Sequence, residues 1–278
     1  MPIQIRRFVC LSLIIWFVAG VMSCGDDGSP VDSHNGQPPG DVSLIDSTYL
    51  DSLVMAIDNG DYGQVHSVLI HRRDSLVFER YFNGFYRNRF ETVYSVTKSV
   101  TSALIGIAID RGDIASVDEI ALDYFDYYPS IANLDTRKES INIEHLLTMT
   151  AGFEWDEWTL PYSHPDNDIA HMYNSSDWVK YVLDLPMTHT PGTQFVYNSG
   201  VSMLLSAILT IATGQSAADY AATHLFGRIG VTQWSWADAP ENPGMSIGGW
   251  GIRTRPIDMV AFGCLYLNRG RWGDDQIV

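Results

Sequence analysis

Ser95 and Lys98 are the residues of this chain best placed for covalent chemistry. They stand three apart in Ser95-Val96-Thr97-Lys98, at the head of an apolar stretch that runs to Ile109. A serine hydroxyl is a weak nucleophile until a neighbour takes its proton. At a helix N-terminus it sits in the positive end of the helix dipole, and its own backbone N–H is free to stabilise an oxyanion. A lysine three residues on shares the helix face and reaches the hydroxyl. Once buried, that lysine either gives up its proton or, still charged, lowers a neighbour's pKa; both routes activate the serine. The chain has three lysines, Lys98, Lys138 and Lys180, and only Lys98 follows a serine at this spacing. The bare pattern arises readily by chance, so its weight comes from its setting. The plain alternative is a helix-capping serine and a lysine that snorkels to the surface.

A second group is Tyr197-Asn198-Ser199-Gly200, directly before another apolar run. A tyrosinate can serve as general base when a nearby cation lowers its pKa, and Lys98 could be that cation. Taken alone, Tyr197 is one of 14 tyrosines and reads as an ordinary packing residue.

The elements that must carry these side chains follow from periodicity and punctuation. Asp46–Asn59 predicts an amphipathic helix ended by Gly60. Val65–His71 and Ser75–Phe82 predict two strands joined by a polar turn at Arg72-Arg73-Asp74. Ser95–Arg111 is apolar on almost every side, which predicts a buried helix, with Gly112 as its C-terminal cap. Short helices are predicted over Ile143–Thr150 and Asp177–Leu185, and a longer apolar one over Ser199–Thr213, closed by Gly214. Ser216–Phe226 and Pro256–Asn268 complete the helices, and residues 153–176 are expected to form a long loop. One hairpin among so many helices is too little sheet to be stable alone. Because Ile277 and Val278 read as the start of another strand, further strands are expected beyond Val278.

Composition narrows the function classes. The chain has 278 residues, 46% of them hydrophobic and 12% aromatic, enough for a real core. Its formal charge of −16 argues against nucleic acid, which needs basic patches to displace counterions, and offers no polybasic grip on a membrane. Arg6 and Arg7 followed by apolar Phe8–Met22 predict an export signal over residues 1–23. It ends at Val21-Met22-Ser23-Cys24, which resembles a bacterial lipobox, so Cys24 is the expected lipid-attachment residue and the only expected link to a membrane. The expected location is the bacterial cell envelope, on the periplasmic or surface side. Residues 24–43 are rich in Gly, Pro, Ser and Asp and predict a flexible tether, with one domain over residues 44–278. Of three cysteines only Cys264 then remains, so no internal disulfide is expected.

Together, Tyr94-Ser-Val-Thr-Lys-Ser99, His145-Leu-Leu-Thr-Met-Thr-Ala-Gly152 and Pro191-Gly…Tyr197-Asn-Ser-Gly200 resemble the beta-lactamase-related serine hydrolases. That group includes class C beta-lactamases, penicillin-binding carboxypeptidases, esterases and the nylon-oligomer hydrolase type. Gly248-Gly-Trp-Gly251 and Arg255-Pro-Ile-Asp-Met259 are similar to the last branch. The resemblance implies an α+β, transpeptidase-like fold, an antiparallel sheet flanked by helices plus a helical region carrying Tyr197. It implies Ser95 as acylated nucleophile, Lys98 as its partner, Tyr197 as general base, and no cofactor or metal. The substrate would be a small ester or amide, or a peptide-like molecule. Ser199 stands where the family's Tyr-x-Asn motif has Asn; it can still donate to a substrate carbonyl but with shorter reach, which leans away from beta-lactams. The family's Lys-Thr-Gly-like strand has no counterpart and would lie beyond Val278, so a fragment unable to fold fully or to turn over is one expectation. A non-catalytic envelope binding or sensor lipoprotein with the same fold is the alternative.

Two other patterns carry less. Gly244-Met-Ser246-Ile-Gly248 matches a nucleophile elbow, but Asp238–Pro243 reads as no strand, the next helix starts near Pro256, and no histidine follows. His164, Asp166, Asp168 and His171 lack the spacing of a zinc or calcium site and read as a polar surface loop. In the resembled family this region covers the site, so Trp155, Trp158, Tyr162 and Tyr173 are expected to line a substrate pocket. His145 is expected to be a packed or surface helix residue.

Overall fold

The computed structural model describes residues 46–278. The signal-like segment, Cys24 and the whole tether lie outside them. The chain divides into two compact units, one ending at Gly84 and one spanning Phe85–Val278.

In the first unit, Asp46 caps helix α1 (Ser47–Asp58) by accepting the Thr48 N–H. Strands β1 (Ser67–Arg72) and β2 (Ser75–Tyr81) form an antiparallel hairpin. Arg73 and Asp74 both take positive φ, 47° and 60°, the turn whose twist matches two right-twisted strands. Ile57, Val65 and Phe82 form the small buried core here.

The second unit is mainly helical. After the two-residue strand β3 (Glu91–Thr92) comes α2 (Val96–Arg111), buried along most of its length and ended by Gly112 at φ 79°. The short α3 (Ile143–Leu147), α4 (Asp168–Tyr173) and α5 (Trp178–Asp184) lead to α6 (Ser199–Thr213) and α7 (Ala217–Ala221). Helix α6 is the hub: its residues from Ser199 to Leu209 are all buried, and it packs on α2, α3 and α5. Strands β4 (Trp234–Trp236), β5 (Asp238–Ala239), β6 (Asn242–Ser246) and β7 (Ile252–Thr254) precede α8 (Pro256–Leu267), and β8 (Arg271–Trp272) pairs with β9 (Asp275–Gln276). One antiparallel sheet has the order β3-β7-β4, and β5-β6 is a separate hairpin. This is the α+β arrangement of helices and small antiparallel sheets that the motifs implied. Among the described residues no single helix is long and apolar enough to cross a membrane.

The departures from expectation have local causes. The stretch 153–176 contains α4, six residues nucleated by the Asn167 cap and held by buried Ile169 and Met172, too short to show a helical period. The run expected to stay helical over Ser216–Phe226 loosens into a π-type turn at Ala222–Phe226 and then a tight turn to Ile229. Residues 238–243 do take part in a hairpin, through β5 and the start of β6, with Pro243 tolerated in a short strand. Ser246 is nonetheless no nucleophile: it is fully buried, its hydroxyl donating to Asp238 and accepting the Ala218 N–H, and β7 rather than a helix comes next. Lys138 is buried for structural reasons, its amine donating to the carbonyls of Ala132, Leu183 and Leu185.

The turn between β6 and β7 fits between α2 and α6 only because it is glycine. A Cβ on Gly248 would lie 2.0 Å from the Ser202 carbonyl oxygen, which is backbone and cannot step aside. Gly248→Ala is therefore expected to cost about 3 kcal/mol, seen as a lowered Tm. Gly263→Ala, with nothing within 4 Å of the new methyl, serves as the control and leaves Tm unchanged or slightly raised.

Candidate active site

A strand-to-helix turn presents Ser95. The Val93 N–H donates to the Ile252 carbonyl, which ties the end of β3 to β7. Tyr94 then takes the left-handed conformation, φ 43°, and turns the chain into α2. Ser95 is the cap residue of that helix, yet its side chain makes no capping bond. Its hydroxyl is exposed and belongs to other partners. The Lys98 amine donates to Ser95 Oγ at 3.1 Å, and the Tyr197 phenol donates to the same oxygen at 2.8 Å. The capping-serine alternative is thereby removed on geometry. Among the described residues no acceptor meets the Ser95 backbone N–H, which remains available to an incoming oxyanion.

Lys98 does not snorkel. It is half-buried, donates also to the Gly249 carbonyl at 3.0 Å, and lies 4.9 Å from the centre of the Tyr197 ring. Burial lowers its pKa to about 8, against the opposing pull of the Glu157 charge. The helix face around it is fixed by two buried threonines. Thr101 donates to the Gly248 carbonyl at 2.9 Å, and Thr97 accepts the Ile252 N–H at 3.3 Å. Thr97, Lys98 and Thr101 thus hold the 248–252 segment by its backbone, which explains hydroxyls and an amine on an otherwise apolar helix.

Tyr197 arrives from the chain just before α6. Asn198 caps that helix through the Val201 N–H, and the Val196 N–H donates to the Met149 carbonyl. Trp158 packs edge-on against the Tyr197 ring at 5.2 Å.

Ser199 is turned towards Glu157. It is buried, its hydroxyl donates to Glu157 Oε1 at 2.9 Å, and its N–H donates to Glu157 Oε2 at 2.7 Å. Both groups of Ser199 are thus engaged by this carboxyl group in the structure. Glu157 is 1% exposed and also receives the Trp155 indole N–H (2.8 Å) and the Tyr162 hydroxyl (3.1 Å). Burial, reinforced by the Glu157 charge, pushes the Tyr162 phenol up. Sequence reasoning passed over Glu157, which sits in an aromatic, acidic loop with no spacing relation to Ser199. The one available signal was Ser199 itself, a short side chain in place of Asn that calls for another partner.

The four aromatics expected around the site divide. Trp158 and Tyr162 are exposed beside Tyr197 and Glu157. Trp155 is buried and lines a different cavity of about 340 Å³ with Phe153, Leu185, Pro186, His189 and Val196. Tyr173 packs instead on Trp178 and Trp250. His145 forms a reciprocal cap with Asn142 at the start of α3. His164 pairs with Asp166, and His171 with Asp168. Among the described residues no three such side chains gather as a metal site.

The comparisons with known proteins agree with this fold. The beta-lactamase family profile matches residues 67–277. A Bacteroides dorei DSM 17855 protein assigned as a beta-lactamase has a similar structure, with TM-score 0.66 and 26% identity over 84% of this chain and 66% of that one. A Bacillus anthracis protein assigned as a 6-aminohexanoate-dimer hydrolase gives TM-score 0.68 and 22% identity over 80% of this chain and 58% of that one. EstCE1, described as a hydrolase with promiscuous acyltransferase activity, gives TM-score 0.65 and 17% identity, with 83% and 74% covered. The chain spans under two-thirds of the length of the first two. With the family profile matching residues 67–277, well over half of its length, the chain belongs to the beta-lactamase family.

Proposed function

We propose that the protein is a serine hydrolase that cleaves an ester or amide through an acyl-enzyme on Ser95. The observation that carries this reading is the convergence of the Lys98 amine and the Tyr197 phenol on Ser95 Oγ. In the deprotonated site, Ser95 Oγ attacks the substrate carbonyl carbon and passes its proton to the Lys98–Tyr197 pair. The carbonyl oxygen gains the negative charge and takes the Ser95 N–H. The C–O or C–N bond then breaks, the pair returns the proton to the leaving alcohol or amine, and water releases the acyl group by the same steps. Two structural neighbours support the ester or amide class: one is assigned to an amide dimer and one is a hydrolase with acyltransferase activity. Residues 1–24 extend the reading to a lipid-anchored envelope enzyme, tested by loss of radiolabelled palmitate in Cys24→Ala.

The pH profile tests the mechanism. Lys98 is held at about 8, so below that pH the pair is mostly protonated and cannot take the serine proton. With a neutral ester, kcat/KM is expected to rise about tenfold per pH unit up to about 8 and then level off. A profile that is flat or falling across that range contradicts the assignment. Trp158, which lies against Tyr197, is expected to contact substrate; Trp158→Ala raises KM more than it lowers kcat, measured by steady-state kinetics.

A further inference from the structure

Glu157 is used by no step of that mechanism, yet it is the most completely coordinated polar side chain near it. Four donors meet its two oxygens: the Ser199 N–H and hydroxyl, the Trp155 indole and the Tyr162 hydroxyl. A carboxylate has about four lone-pair sites. With its acceptor sites filled, Glu157 has no lone pair left for Lys98 or for substrate and can act on them only as a fixed charge.

Ser199, which holds that carboxyl group, lies near the nucleophile's lysine. Lys98 and Ser199 flank the same point of the 248–251 turn: a Cβ built on Gly249 would lie 3.5 Å from Lys98 Nζ and 3.7 Å from Ser199 Cβ. Around the amine, α2 contributes the Ser95 hydroxyl, the turn contributes the Gly249 carbonyl, and the segment before α6 contributes the Tyr197 phenol. Among the described residues Glu157 is the one charged group that acts on Lys98.

We infer that Glu157 is a positioning residue for the nucleophile: anchored through Ser199, Trp155 and Tyr162, it fixes a negative charge beside Lys98 and keeps the resting amine protonated and directed at Ser95 Oγ. This rests on the hydrolase reading for its purpose, though not for its test. It also gives position 199 a role, since a serine there is short enough to hook the carboxylate instead of reaching substrate. Burial lowers the Lys98 pKa, and the Glu157 charge opposes that fall.

The test follows the amine itself. With only three lysines in the chain, selectively 13C-labelled lysine gives a spectrum in which the Lys98 signal is assigned by its loss in Lys98→Met. Glu157→Gln, similar in shape but uncharged, is expected to move the Lys98 titration midpoint down by about one pH unit. Glu157→Asp, which keeps the charge but withdraws it by a methylene, moves it the same way by less. A midpoint unmoved in folded Glu157→Gln, with or without a lowered Tm, reduces Glu157 to a structural residue and overturns the inference. If Glu157→Gln melts below the assay temperature, Glu157→Asp decides alone by the same criterion. Because the midpoint needs no turnover, a protein that cleaves no ester would sink the hydrolase reading and leave this result standing separately.

Discussion

Ser95→Ala removes about 10⁴-fold or more of kcat/KM towards any ester the protein hydrolyses, with Tm unchanged. Both halves follow from the geometry. The hydroxyl is the atom that Lys98 and Tyr197 share, so nothing else in the site can form the acyl bond. The hydroxyl is also exposed and caps nothing, so its loss opens no cavity and leaves no helix donor unsatisfied. A serine that merely capped α2 would behave in the opposite way, costing about 1 kcal/mol of stability and no activity. Steady-state kinetics beside a thermal melt separate the two.

Lys98→Met is the second large effect. Methionine keeps much of the length and the apolar stem but supplies no proton acceptor, so kcat is expected to fall about 10³-fold or more. The rise of kcat/KM towards about 8 should vanish from whatever activity remains, because the group responsible is gone. Stability is pulled both ways. The Gly249 carbonyl loses its donor, which costs about 1–3 kcal/mol if no water replaces it. Against that, an amine whose pKa burial has already lowered no longer has to be desolvated. A small net change in Tm with a large loss of kcat is the expected pair of results. A variant within tenfold of wild type would remove Lys98 from the chemistry.

The sequence made the carriers of this site legible to different depths. Helices α2 and α6 could be read because their apolar content is dense and their ends are punctuated, by Gly112 and Gly214 in the left-handed conformation. The Ser95–Lys98 pair was legible because one helical turn is a local fact. Its meeting with Tyr197, 102 residues away, rested on resemblance, since no local rule connects them. Strands β3 to β7 were hidden by their length: two to five residues carry no alternation worth reading, and β3 finds its partner β7 far along the chain. Glu157 was hidden because its three partners, Trp155 and Tyr162 in its own loop and Ser199 far along the chain, form no motif. Thr97 and Thr101 could have been noticed as polar residues four apart on a buried face, but the backbone they bind lies about 150 residues on.

The most direct test of the account is covalent capture. The protein is incubated with a fluorophosphonate at about pH 8, digested, and its peptides are mapped by mass spectrometry. The account predicts one stoichiometric adduct on Ser95, absent in Ser95→Ala and formed far more slowly in Lys98→Met. A folded protein that takes up no label, or takes it up on another serine, would contradict it.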